Sequence, residues 1–134
     1  ERNREHLTFQ FDTPPDSIHA IPHKRIHEVY RPFTATVRRL EPNGRGEFLL
    51  FTCTPHSAKE CSRFTITQRN YEPENPESGK DELIHDTIVE QDRTITENQR
   101  PEELPLDLTE ELHVKGPDTP ALEYRRMLKE LGVE

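Results

Sequence analysis

The carboxylate of Asp92 stands apart from the other acidic side chains around it. Residues 80–99 carry apolar positions at helical spacing, and at 100° per residue Ile84, Ile88 and Ile95 fall in one narrow stripe that should face a sheet. Asp92 lies beside that stripe, whereas Asp86, Glu90 and Glu97 project to the opposite side. A carboxylate turned towards a core edge needs an arginine, several hydrogen-bond donors or a metal ion, because burying an unpaired charge is costly. On periodicity alone, a partly exposed Asp92 paired with a nearby arginine is the leading reading. Other chemistry-bearing residues give weaker patterns. His19, His23 and His27 recur every four residues, which on a helix would align three imidazoles for a metal, but Pro22 breaks such a helix and leaves surface histidines in a loop. His56-Ser57 has no nucleophile elbow and no acidic third member. Gly44-Arg45-Gly46 lacks the Lys-Ser/Thr of a phosphate loop and reads as a hairpin turn. Cys53 and Cys61 are too few for a disulfide scaffold and wrongly spaced for zinc or an iron–sulfur site; they could face each other across the meander, but in a reducing compartment they read rather as a buried pair of small hydrophobes.

The elements that would position these residues are strands first and helices last. Residues 6–12 alternate polar and apolar, with Leu7, Phe9 and Phe11 on one face of a half-buried strand. Residues 13–22 form a loop. A second strand is expected over 28–40, with Phe33, Ala35 and Val37 opposite Thr34, Thr36 and Arg38, and with Pro32 restricting it to an edge or bulge. Pro42-Asn43-Gly44 turns the chain into a strand over 47–54, and a further turn leads into 61–71, so these three adjacent strands make an antiparallel meander. Residues 72–79 are a polar loop before the helix over 80–99, which Pro101 limits. A last helix starts after Asp118 or Thr119, presents Tyr124, Leu128 and Leu131 on one face, and stops at Gly132. The fold class predicted is α+β.

Composition limits what such a chain can do. Its 134 residues suit one domain with a modest core, but only 30% are hydrophobic, 33% are charged, and the mean hydropathy is −0.98. The core is therefore expected to be shared with another segment or subunit. The formal net charge of −8 is uneven: residues 72–134 hold 18 Asp and Glu against 7 Lys and Arg, and residues 1–71 hold 8 against 11. Arg38, Arg39 and Arg45 scarcely make the concentrated cationic face that phosphate binding needs, which argues against nucleic acid. No apolar run approaches the ~20 residues of a spanning helix, and the start, Glu1-Arg2-Asn3-Arg4-Glu5, has no secretory hydrophobic segment. The expectation is a soluble protein in the cytoplasm or another reducing intracellular compartment. The start also lacks an initiator Met and runs straight into strand-like sequence, as a fragment of a longer protein would.

Several runs, taken in order, carry a resemblance to a known family. Residues 86–105, DTIVEQDRTITENQRPEELP, resemble the C-terminal region of Rieske non-haem iron oxygenases of the vanillate O-demethylase type. Glu111-Leu112-His113 and Tyr124-Arg125-Arg126-Met127-Leu128 resemble the segments that follow it, and Phe51-Thr52-Cys53-Thr54-Pro55, Ser62-Arg63-Phe64 and Arg69-Asn70-Tyr71 resemble that group's last sheet strands. The resemblance covers residues 47–131, and residues 1–46 fit by position only. It implies a helix-grip (START/Bet v 1-like) catalytic domain, with an antiparallel sheet wrapped on a long helix and iron held by two histidines and one aspartate. Asp92 matches the carboxylate ligand, and Ile88, Gln91 and Ile95 would then border the iron or the substrate pocket.

The departures from the family pattern matter as much. The histidine ligands belong to an Asn-x2-Asp-x2-His-x4-His run that is not found here, and neither Cys53 nor Cys61 has the histidine that a Rieske cluster requires. By resemblance, mononuclear Fe(II) and a Rieske 2Fe-2S cluster belong to a longer parent, and no tight iron binding and no activity are expected of residues 1–134 alone. The parent would be an iron-dependent oxygenase that hydroxylates aromatic rings or removes O-methyl groups. Its partners would be the rest of the oxygenase chain, an electron-donating reductase or ferredoxin, dioxygen, and an aromatic or similar apolar small molecule; kinship implies a homotrimer. The competing reading is a non-catalytic helix-grip module that binds a hydrophobic ligand or mediates assembly.

Overall fold

The computed structural model describes residues 6–15, 20–74 and 78–133, with the backbone alone over 78–85. Its elements are β1 (His6–Thr13), β2 (His23–Tyr30), β3 (Thr34–Leu40), β4 (Gly46–Pro55), β5 (Cys61–Arg69), α1 (Ser78–Glu97) and α2 (Thr119–Glu130). They divide between two compact units, one spanning Glu1–Tyr71 with Leu106–Glu134 and the other Glu72–Pro105.

The first unit holds a five-stranded antiparallel meander in the order β1-β2-β3-β4-β5, with α2 packed against β1. The meander has two strands more than the three adjacent ones expected, counting β1, and its second strand needs correction. Residues 28–40 are not one strand interrupted at Pro32. Arg31, Pro32 and Phe33 form the turn between β2 and β3, whose registers run from Lys24 opposite Leu40 to Tyr30 opposite Thr34. A proline that cannot donate to a ladder fits a turn better than a strand interior. Residues 23–27 are therefore strand rather than loop.

Period-two alternation and the registers assign the faces. Leu7, Val29, Ala35 and Phe51 share one face, because Leu7 pairs with Val29, Val29 with Ala35, and Ala35 with Phe51. Leu7 is 1% exposed, and with Met127 and Leu128 of α2 it makes up the buried hydrophobic core of the described residues. On the other face Phe64 and Ile66 are 59% and 54% exposed. The scarcity of apolar residues thus has a direct structural counterpart: among the described residues Leu7 is the one buried hydrophobic residue of the sheet.

Polar ties hold the unit elsewhere. Arg39 grips Glu47 with two guanidinium nitrogens, at 3.0 and 2.6 Å, and reaches Glu41 at 2.8 Å, which pins the β3–β4 hairpin. Gly44 adopts φ 87° in that hairpin, a left-handed conformation that glycine enters without the penalty of a Cβ. The hydroxyl of Tyr71 donates to Glu47. At the far end of the sheet, the Tyr124 hydroxyl of α2 donates to the Pro32 carbonyl at 2.8 Å. Arg125, 6% exposed, pairs with Glu111. Two segments quoted above for their family likeness, around Glu111 and around Tyr124, are therefore bound to each other.

Candidate functional site

Helix α1 covers the predicted segment with its bounds shifted by two residues at each end. Its β-branched residues are accommodated by side-chain bonds to the preceding turn: Thr94 and Thr96 donate to the carbonyls of Glu90 and Asp92 at 3.0 and 2.9 Å. A continuous helix fixes the relative phase of the candidates, so Ile88, Gln91, Asp92 and Ile95 occupy one side of it, within about 100° of arc. The side chain of Ile84 lies outside the described residues.

All four candidates are exposed, with Ile88 at 36% and Ile95 at 70%. The charges on α1 are not equivalent. Arg93 donates to Glu97 at 2.7 Å and lies 3.7 Å from Glu90, so the arginine nearest in sequence to Asp92 is engaged by the carboxylates of the opposite side. Among the described residues no ion pair or hydrogen bond engages the Asp92 carboxylate. The alternative of Asp92 neutralised by a nearby arginine therefore has no counterpart here.

The histidines resolve differently from their reading as surface loop residues. His19 lies outside the described residues. His23 is 4% exposed on β2, where its Nδ1 faces the Ile21 carbonyl at 3.1 Å and its Nε2 accepts from Arg25 at 3.1 Å. His27, half-buried on the same strand face, meets the Phe11 ring in a tilted arrangement with centroids 5.0 Å apart, and its Nε2 is buried without a hydrogen-bond partner. Burial, then the positive charge of Arg25, pushes its pKa below the usual histidine value. Four residues along a strand separate the two rings by about 13 Å, too far to share an ion. His56 bonds Ser62 across the β4–β5 turn at 2.7 Å, in agreement with a turn rather than a catalytic pair. The buried-cysteine expectation fails for Cys61, which is exposed, whereas Cys53 is half-buried.

What the comparisons add is family. A family model described as the vanillate O-demethylase oxygenase C-terminal domain matches residues 19–134. The chain belongs to that family. The match takes in β2 and β3 as well as everything from β4 onward, and so extends the likeness beyond the segments that carried it in the sequence. Neither curated proteins nor solved structures give a match. No helix among the described residues is long and apolar enough to cross a membrane.

Membership raises the question of whether these residues could hold the iron that oxygenases of this type use. A hard carboxylate oxygen suits such a metal, and Asp92 offers one that nothing among the described residues engages. It is a single donor, however, and among the described residues no three His, Cys, Asp or Glu side chains come together as a metal site would require. The donor set fits one ligand of a triad and not the whole.

Proposed function

We propose that this domain supplies Asp92 as the carboxylate ligand of a mononuclear iron in a Rieske-type oxygenase that hydroxylates aromatic rings or removes O-methyl groups. In this reading two histidine ligands and the 2Fe-2S cluster come from parts of the oxygenase other than residues 1–134, and electrons from a reductase or ferredoxin. The observation that carries the reading is the unengaged Asp92 carboxylate, one helical turn from Ile88 and Ile95 in a family of oxygenase domains, on a helix whose Arg93 is already taken by Glu90 and Glu97. Ile88, Gln91 and Ile95 would border an apolar pocket beside that carboxylate, the two isoleucines excluding water and Gln91 offering an amide to orient a substrate. The exposed isoleucine stripe supports this, since an apolar face on an otherwise charged helix requires a cover. A helix-grip arrangement, with α1 gripped by the sheet of the complete catalytic domain, would provide one.

Asp92→Ala in the full-length oxygenase tests the assignment. The iron–sulfur spectrum should persist while mononuclear iron content and product formation fall, by more than the ~10–100-fold that follows disturbance of a ligand's hydrogen-bond partner. Unchanged turnover would refute the ligand role. It would favour the competing reading, a catalytically silent module for a hydrophobic ligand or for assembly, to which the exposed Phe64 and Ile66 lend support.

A further inference from the structure

The two cysteines are far better placed for chemistry with each other than their distance in sequence implies. In the β4–β5 ladder Cys53 stands opposite Arg63 and Cys61 opposite Pro55, so the thiols are diagonal neighbours on one face of the hairpin. The nearness of Cys61 is among the influences that raise the Cys53 pKa. Accessibility differs between them: Cys61 is exposed on the edge strand and Cys53 is half-buried.

We propose that Cys53 and Cys61 form a two-thiol oxidation site, in which a hydroperoxide oxidises Cys61 and Cys53 then closes a reversible intrachain disulfide. The first step transfers one oxygen to sulfur: the Cys61 thiol and hydrogen peroxide give a sulfenic acid and water. In the second, the Cys53 sulfur attacks the sulfenic sulfur, the S–S bond forms, the S–O bond breaks, and a second water leaves. Overall, two thiols are oxidised and one peroxide is reduced to two waters.

The division of labour follows from the surroundings. Peroxide reaches the exposed thiol first. Burial, and then the neighbouring Cys61, raise the Cys53 pKa, with Arg63 acting in the opposite sense, so Cys53 is held as the less reactive resolving thiol. Bridging asks a diagonal pair to draw about 1–2 Å closer than its usual spacing. The Cys61 end can yield, because Pro55–Cys61 is the terminal pair of the ladder beside a turn. A bridge made under such constraint is readily reduced by a dithiol, which suits a reversible modification. The site also adjoins the corner where α2 is tied down: the Cys53 amide donates to the Phe33 carbonyl at 2.9 Å, next to the Pro32 carbonyl that holds Tyr124.

The test is hydrogen peroxide titration of the folded chain, followed by intact mass and peptide mapping after alkylation. The expected result is loss of both free thiols, a mass lower by two hydrogens, a linked Cys53–Cys61 peptide, and recovery of both thiols with dithiothreitol. Both thiols remaining titratable, or oxidation ending in sulfinic acid or in disulfides between chains, would overturn the proposal. The unsubstituted chain decides whether the bridge forms, and the variants decide the order of the two steps. Cys53→Ser should stop at a Cys61 sulfenic acid that dimedone traps, and Cys61→Ser should leave Cys53 unreacted at the same dose. Oxidation of Cys61→Ser as fast as the parent would reverse the assigned order and overturn it too.

Discussion

The unit built on the sheet and the unit that carries α1 use their side chains in opposite ways. In the first, the strands exchange a full antiparallel ladder, Arg39 is gripped by Glu47 and Glu41, Arg125 is buried on Glu111, and Leu7 is sealed beneath α2. In the second, α1 satisfies its own backbone, Arg93 bridges two carboxylates of its own helix, and an apolar stripe with Asp92 beside it stays exposed. The arginines Arg39 and Arg125 of the sheet unit thus find their carboxylate partners within that unit. The side chains with the strongest claim to chemistry lie on α1 instead. Such a division is expected where a site is completed by residues from elsewhere, since a ligand satisfied within its own helix would have nothing left to give a metal.

The sharpest way to break this contrast is to substitute one residue from each unit and measure stability and iron separately. Asp92→Ala should abolish mononuclear iron and product in the full-length oxygenase, yet alter the unfolding free energy of residues 1–134 by no more than about 0.5 kcal/mol, as for an exposed residue with no partner. Leu7→Ala should do the reverse to stability, costing about 2–5 kcal/mol in urea denaturation because the side chain is fully buried in a very small core. A large loss of stability from Asp92→Ala would mean that the carboxylate is structural. Next in size, Arg125→Met should cost about 1–3 kcal/mol: it keeps most of the apolar volume but leaves Glu111 without its guanidinium, and Glu111 remains accessible enough to recover water. A cost near zero would show that the Glu111 segment is held by other contacts.

Some of this arrangement is legible in the residues alone and some is not, for physical reasons. Alternation over residues 6–12 and the Pro42-Asn43-Gly44 turn announce β1 and the β3–β4 hairpin, because each half-buried strand keeps a strict period of two and each tight turn needs particular backbone angles. Helix α1 is equally plain from its 3.6-residue period. Strand β2 is not, since His23-Lys24-Arg25-Ile26-His27 offers no apolar alternation: one face of it is built from histidine and arginine bonded to one another instead of from aliphatic residues. The one available clue was that these residues precede a clear turn at Arg31-Pro32-Phe33, which a hairpin needs on both sides. Asp92 shows the complementary limit. Helical phase places it beside an apolar stripe, but phase says nothing about what covers that stripe.

The smallest expected effect is a pH dependence confined to the sheet unit. His27 is held below its ordinary value of about 6.5 by burial and then by Arg25, and no described residue accepts a hydrogen bond from its buried Nε2. As pH falls past that ordinary value, the unfolded chain takes up the proton while the folded histidine still refuses it. The unfolded state then binds more protons, and stability declines with falling pH until the folded ring is protonated as well. The contribution is therefore fully present above the unfolded pKa and lost on descending to the folded one. His27→Gln removes the titrating group but also the ring contact with Phe11, so it lowers stability at every pH, and the slope rather than the level is the quantity to compare. Urea midpoints from about pH 8 to about pH 5 should fall less steeply below neutrality in the variant than in the parent. An unchanged slope would mean that the acid sensitivity of the sheet unit comes from groups other than His27.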